Sequence, residues 1–320
     1  MGKPKVAFYW CASCGGCEEA VVDLHEDILK VVAAVDIVFW PVALDFKKKD
    51  VEDMPDGSIA VSFINGAIRT SEQDEMAKLL RKKSGLIVAF GSCAHLGGIP
   101  GLANLYPLAD TVNTVYITTA STDNKNHVLP KTEYDLPEGK VTLPELWDRV
   151  YALDRIIDVD YYLPGCSVPK KLIVDAVMAI LEGKLPPKGT ILSPNKALCD
   201  TCKRNETKPD KLKIDRIKRF WEIDYDPEKC FLDQGIICMG PATRGGCEER
   251  CIEGNFPCRG CFGPTDQVID QGAKMLSALA SIIDTNDEKE IEKVMSSIID
   301  PVGTFYRFAL PKGILEKKIY

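Results

Sequence analysis

The chain has 320 residues, 45% of them apolar, with thirteen cysteines against three histidines and a net charge of −7. A chain of this size and apolar content buries roughly three-quarters of its unfolded surface. It needs no disulfide framework, and an odd cysteine count leaves one thiol over in any pairing. The acidic balance argues against nucleic acid as a general partner.

The first residues hold only five consecutive apolar side chains, 6–10, before Cys11, too few for a signal-peptide core. Position 6 is Val, where a myristoylation signal after Gly2 has Ser or Thr. The longest apolar stretch, 31–44, is broken by Asp36 and Pro41 and is too short to span a bilayer. The expectation is a soluble, cytoplasmic chain with no membrane insertion. In a reducing compartment, abundant cysteines serve as metal ligands more often than as disulfides.

In chain order, residues 5–10 read as a strand running into a Cys/Gly cluster. Residues 18–30 follow with apolar side chains at helical spacing. Segments 35–44 and 58–68 are rich in β-branched residues and read as strands. Ser71-Glu72-Gln73-Asp74 resembles a helix start, the helix ending near Ser84-Gly85. Segment 86–90 is a strand closed by Gly91-Ser92-Cys93. Segment 158–163 is another, closed by Pro164-Gly165-Cys166, and a helix over 169–181 follows. This alternation predicts an α/β fold with a doubly wound parallel sheet. Ligands of such sheets bind beyond the carboxyl ends of the strands. Three cysteine sites, 76 and 73 residues apart, therefore have the opportunity to meet at one sheet edge.

After residue 187 the character changes. Eight cysteines crowd into 80 residues rich in Gly, Pro and charge, with little strand signal. The expected division is a first domain, 1–187, and a mostly irregular and helical metal-organised domain, 188–320. Helices are expected over 264–283 and 287–299, and the tail from Asp300 is expected to be irregular. Residues 203–220 carry eight basic side chains against three acids. They are either a solvated segment or a docking face for an acidic partner.

The second-half spacing is Cys199-x2-Cys202, Cys230-x7-Cys238, Cys247-x3-Cys251 and Cys258-x2-Cys261. Zinc and iron–sulfur clusters both use C-x2-C pairs, so these pairs alone leave both open. Cys11-x2-Cys14 superficially matches a thioredoxin-type pair. Together with Cys17 it also imitates a ferredoxin run, but that run lacks its fourth cysteine, because Val21-Val22 stand there. A site drawing on Cys14, Cys17, Cys93 and Cys166 supplies four thiolates from three strand ends. Gly15, Gly16, Gly91, Gly97, Gly98 and Gly165 surround them. Glycine permits close backbone approach, so N–H groups can face an anionic cluster.

Three segments together resemble the proximal-cluster motifs of [NiFe]-hydrogenase small subunits: Cys14-Gly15-Gly16-Cys17-Glu18-Glu19, Gly91-Ser92-Cys93-Ala94-His95-Leu96-Gly97-Gly98 and Pro164-Gly165-Cys166. The stretch from Cys230 to Pro241 resembles that family's distal-cluster region, and Cys258-Arg259-Gly260-Cys261-Phe262-Gly263-Pro264 its medial one. The resemblance is strongest to the cytoplasmic F420-non-reducing, viologen-reducing type, whose electrons reach heterodisulfide reductase in methanogens. It implies a flavodoxin-like first domain and three [4Fe–4S] clusters. Cys14, Cys17, Cys93 and Cys166 would hold the proximal one. Cys247, Cys251, Cys258 and Cys261 would hold the medial one, and Cys199, Cys202, Cys230 and Cys238 the distal one. Periplasmic members have His at the position of Cys199 and a three-iron medial cluster; Cys251 here supplies a fourth medial ligand. Cys11 is left over.

The same resemblance implies a large-subunit partner that holds the NiFe site, and an iron–sulfur or flavin acceptor subunit of a heterodisulfide reductase complex. This chain ends at Tyr320 without the terminal cysteine motif that holds nickel, so catalysis on H2 is expected in the partner. Glu19 falls where the family has an acid near the subunit boundary, with an interface or proton-relay role implied; a plain helix-start carboxylate is the alternative. His95 is either a hydrogen-bond donor to the cluster or a packed neutral side chain, and His25 and His127 have no assigned role. The alternatives are another cytoplasmic [NiFe]-hydrogenase small subunit, F420- or NAD(P)-linked, and a zinc-stabilised scaffold. A quinone-reductase cluster subunit would explain only the first domain.

Overall fold

The computed structural model describes residues 2–283 and 285–317. Its centre is a parallel sheet of five strands: β1 (Lys5–Trp10), β2 (Asp36–Phe39), β3 (Ile59–Asn65), and, further along the chain, Ser84–Phe90 and Tyr161–Leu163. Between these run a short extension, β4 (Ile68–Thr70), a hairpin of β6 (Glu133–Leu136) and β7 (Gly139–Thr142), and β8 (Leu146–Tyr151), so the last two sheet strands are β5 and β9. The spatial order β2-β1-β3-β5-β9 is the flavodoxin-like order, with its switch point beside β1.

Strand alternation divides the core into two layers. Val6, Phe8, Val61, Phe63, Val88, Phe90 and Leu163 face one side. There they pack on α1 (Gly16–Val22), α2 (Asp27–Ala34) and, later in the chain, the helix Lys170–Leu181. Ala7, Ile64, Ile87 and Ala89 face the other side. That layer is closed by α3 (Lys48–Glu52), α4 (Ser71–Lys83) and α5 (Ser92–Leu96). Coverage of both faces explains why β3 and β5 read as nearly continuous apolar runs. After α6 (Leu108–Asn113), helix Lys170–Leu181 is α7.

The expected elements hold with local differences. The helix expected over 18–30 is two helices, because His25 adopts a left-handed φ of 53° between α1 and α2. The strand expected over 35–44 ends at Phe39, before the Trp40-Pro41 turn. Helix α4 is capped by Thr70, whose hydroxyl accepts from Gln73 N, one residue earlier than the expected start. Only Gln271–Ala280 of the segment 264–283 is helical.

Among the described residues beyond 187 no named strand occurs, and a second core takes over. It gathers Phe231, Met239, Met275, Leu279 and Phe305 around α8 (Arg250–Glu253), α9 (Gln271–Ala280), α10 (Glu288–Ser296) and α11 (Pro301–Phe305). The tail then returns to the first half. Pro311 packs where a side chain on Gly97 or Gly101 would stand, and Lys312 pairs with Asp154 at 2.6 Å. No helix among the described residues is long and apolar enough to cross a membrane.

Asp270, 5% exposed, ties this region together. Its carboxylate caps α9 through Ala273 N at 2.7 Å and accepts from Ile314 N of the tail at 2.6 Å. Asp270→Ala should therefore cost about 2 kcal/mol. Thermal unfolding should show a lower midpoint, and hydrogen exchange at the Ile314 amide should accelerate more than in α4.

Candidate metal centres

The three cysteine sites of the first half follow β1, β5 and β9, at the carboxyl edge of the sheet. They meet there. Burial pushes the Cys17 thiol up to about 12, and the neighbouring Cys93, Cys166 and Cys14 add to the shift. Burial likewise raises Cys93 to about 12, with Cys166 and Cys14 beside it. Cys14 and Cys166 are the exposed members of the set.

A buried polar network fixes the loop that carries Cys14 and Cys17. Glu18, 3% exposed, accepts hydrogen bonds from Trp40 Nε1 and from Asn65 Nδ2, the latter at 2.7 Å. Asn65 Oδ1 in turn accepts from Ser13 Oγ at 2.8 Å. Burial raises the Glu18 carboxyl despite these two donors. Glu19, to which the resemblance gives an interface or relay role, is exposed; its neighbour Glu18 is the side chain held in this network. The signal for Glu18 was Asn65 at the end of a mostly apolar β3, a side chain that must find a partner once buried.

All four thiols of Cys199, Cys202, Cys230 and Cys238 line one cavity. Burial pushes Cys199 up to about 11 and Cys238 to about 12. The remaining four lie between this set and the sheet edge. Burial raises Cys261 to about 12, and Cys166, Cys247 and Cys251 add to it. Burial holds Cys258 well above the usual thiol value, with Cys238 and Cys261 adjacent.

Backbone N–H groups connect successive sets. Cys166 N–H donates to Cys261 Sγ, and Cys258 N–H donates to Cys238 Sγ at 3.3 Å. Ser92 Oγ also donates to Cys261 O at 2.5 Å, which joins the loop of Cys93 to the middle set.

The surroundings suit an anionic group bound through sulfur. A Cβ at Gly98 (φ +59°) would stand 2.4 Å from Cys93 Sγ, and one at Gly91 (φ +87°) 2.3 Å from Cys17 Sγ. Only glycine fits at either place. Sulfurs across the three sets accept backbone N–H donors: Cys17 from Val168, Cys93 from Ile99, Cys238 from Gly240, and Cys247 from Glu249 and Arg250. Such donors favour the thiolate, which a bound metal requires. A single tetrahedral zinc needs its sulfurs about 2.3 Å from one point. Among the described residues no three Cys, His, Asp or Glu groups converge in that way. Thiolates that each bind a different corner of a cluster need not converge.

The other candidates have ordinary places. Cys11 is buried in the core beside α4, and burial raises its thiol. His95 is 4% exposed, and burial, with Lys312 and Arg244 nearby, holds its imidazole well below the usual value. Its ring lies 4.9 Å from Tyr162, and its buried Nδ1 has no hydrogen-bond partner among the described residues. His25 and His127 occupy turns of positive φ. Within the basic segment Arg204 points inward. It lies 4.4 Å over the Phe231 ring and donates to Asn255 Oδ1 at 2.8 Å and to Ile252 O at 3.3 Å. It therefore joins the loops of Cys230 and Cys251. The other seven basic residues are exposed or half-buried.

Residues 14–180 match the family model described as the 20 kDa subunit of NADH ubiquinone oxidoreductase. Over 99% of both chains, the sequence is 40% identical to the iron–sulfur subunit of the F420-non-reducing hydrogenase of Archaeoglobus profundus. It is 38% identical to a subunit of the F420-non-reducing hydrogenase of Methanothermobacter thermautotrophicus, over 99% of this chain and 97% of that one. A [NiFeSe] hydrogenase structure from Desulfovibrio vulgaris Hildenborough shares the fold, with a TM-score of 0.52 and 18% identity over 82% of this chain and 94% of that one. The protein is thus a component of a hydrogenase. It belongs to the small-subunit family of the [NiFe]-hydrogenases, and within it to the F420-non-reducing type.

Asn65→Leu keeps the branching and heavy-atom count of the strand side chain but removes both hydrogen bonds that hold Glu18 and Ser13. The variant should lose about 2 kcal/mol, read as a lower thermal midpoint. An unchanged midpoint would show that the network does not hold the loop.

Proposed function

We propose that this chain is the electron-relay subunit of a [NiFe]-hydrogenase, standing between the hydrogen-activating large subunit and an electron acceptor. The observation that carries the reading is the succession of thiol sets, joined by Cys166 to Cys261 and by Cys258 to Cys238. Three [4Fe–4S] clusters would supply the one-electron carriers. Cys14, Cys17, Cys93 and Cys166 would hold the first; Cys247, Cys251, Cys258 and Cys261 the second; Cys199, Cys202, Cys230 and Cys238 the third. The first set belongs to a flavodoxin-like unit, 1–187, and the other two to a second unit, 188–320.

The residues around the sets perform distinct tasks. Glu18, Asn65 and Trp40 position the first loop, and Arg204 clasps the second and third sets together. Backbone N–H groups offset sulfur charge, which raises the reduction potential of a bound cluster. Phe231, Leu232 and Ile252, all nearly inaccessible, keep water from the cavity of the third set. The exposed Cys14 and Cys166 open the first set toward the large subunit.

At the other end Lys208 lines the cavity of the third set. Arg219 and Arg259 share a cleft with Trp221, which is 80% exposed. This basic, aromatic face suits an acidic acceptor such as an iron–sulfur or flavin subunit of a heterodisulfide reductase complex, in the cytoplasm. The similarity to subunits of archaeal F420-non-reducing hydrogenases favours that acceptor over F420 or NAD(P).

Protein purified without oxygen should contain about twelve irons per chain and absorb visible light; a zinc-only metal content would refute the reading. Cys251→Ala should convert the second cluster to a three-iron form with its own EPR signal. Three intact four-iron clusters in that variant would show that Cys251 is not a ligand.

A further inference from the structure

Beyond residue 105 the chain leaves the body of the protein and returns only at β8. Helix α6 and the turn Thr114–Thr118 bury no residue. All eight residues of β6 and β7 are exposed. Ten of the twenty-five large apolar side chains that stand exposed on the described chain fall within residues 106–146, Tyr106, Val128, Tyr134 and Leu143 among them.

This arm lacks the means to stabilise itself. A two-stranded hairpin with no third strand and no helix packed on it is marginal in water. Apolar side chains gathered on one projecting segment mark an interaction surface, whereas scattered ones do not. Its roots, by contrast, are firmly held. Asn104 donates from Nδ2 to Val150 O at 3.1 Å and accepts from Val150 N at 2.8 Å. Asp148 Oδ1 accepts from Leu108 N at 2.7 Å, and Ser71 Oγ accepts from Glu145 N at 3.0 Å.

The position of the roots identifies the occupant. One root follows α5, which carries Cys93. The other, β8, pairs antiparallel with β4, directly beyond the carboxyl end of β3, where Ala67 also bridges Ala12 in the Cys11–Cys14 loop. Both roots thus flank the edge on which Cys14 and Cys166 are exposed. We propose that residues 106–146 are a clamp that lies along the hydrogen-activating subunit and buries its apolar side chains there. The inference rests on the reading that this edge faces that subunit. It adds that a segment outside the thiol sets supplies much of the grip.

The test uses the full chain, with its metal, alone and in complex with the large subunit. Amides of 106–146 should exchange hydrogen rapidly in the free chain and become protected in the complex, while β3 and β5 change little. The variant Tyr134→Ser, Leu136→Ser, Val141→Ser should bind the large subunit about tenfold more weakly or worse and keep its iron content. A second variant outside the hairpin, Tyr106→Ser with Val128→Ser, should weaken binding in the same direction. Exchange that the large subunit leaves unaltered would overturn the proposal. So would protection that appears in the free chain with rising concentration, which would assign the arm to a second copy. If the unaltered chain fails to bind the large subunit at all, the reading of the exposed edge fails instead.

Discussion

A thiolate buried among apolar side chains is unstable unless something compensates its charge, and this constraint governs all three thiol sets. Burial pushes Cys17, Cys93, Cys238 and Cys261 to about 12, so at neutral pH these sulfurs hold protons until a metal displaces them. Partial compensation is built into the backbone as N–H donors aimed at sulfur. A regular strand or helix uses its N–H groups on its own ladder. The chain beyond residue 187 therefore forgoes strands among its described residues, and short turns leave amides free to face Cys238, Cys247 and Cys258.

The same constraint explains how the sets are joined. Cys166 and Cys258 each belong to one set by sulfur and touch the next by their own N–H. Few residues lie between one set and another, and Ser92 and Arg204 brace the two junctions from the side. The parallel sheet supplies the fixed end. Its two apolar layers hold β1, β5 and β9 so that loops far apart in the chain arrive at one edge.

Much of this was legible in the residues. The succession of short apolar runs and helix-like segments, with cysteine–glycine clusters closing the runs, announced a doubly wound sheet with ligands at its carboxyl edge. The break at His25 was not legible, because helical spacing continues across it while the backbone turns. The buried network of Glu18 was not legible, because two consecutive acids at a helix start look alike in the sequence and only the packing of Trp40 and Asn65 buries one of them. Arg204 was concealed in a run of basic residues that reads as solvent-facing, and only the Phe231 ring and the carbonyl of Ile252 draw it inward. The arm at 106–146 was assigned no element from its residues, and in the structure its helix and hairpin bury no side chain.

The account depends on three separate metal groups, each beside its own four cysteines. Anomalous diffraction at the iron absorption edge, from crystals grown without oxygen, tests it most directly. The account predicts three compact iron peaks in succession, the first at the sheet edge by Cys93, the second by Cys258 and the third in the cavity of Cys199 and Cys230. A missing peak, or signal at the zinc edge in place of iron, would contradict it.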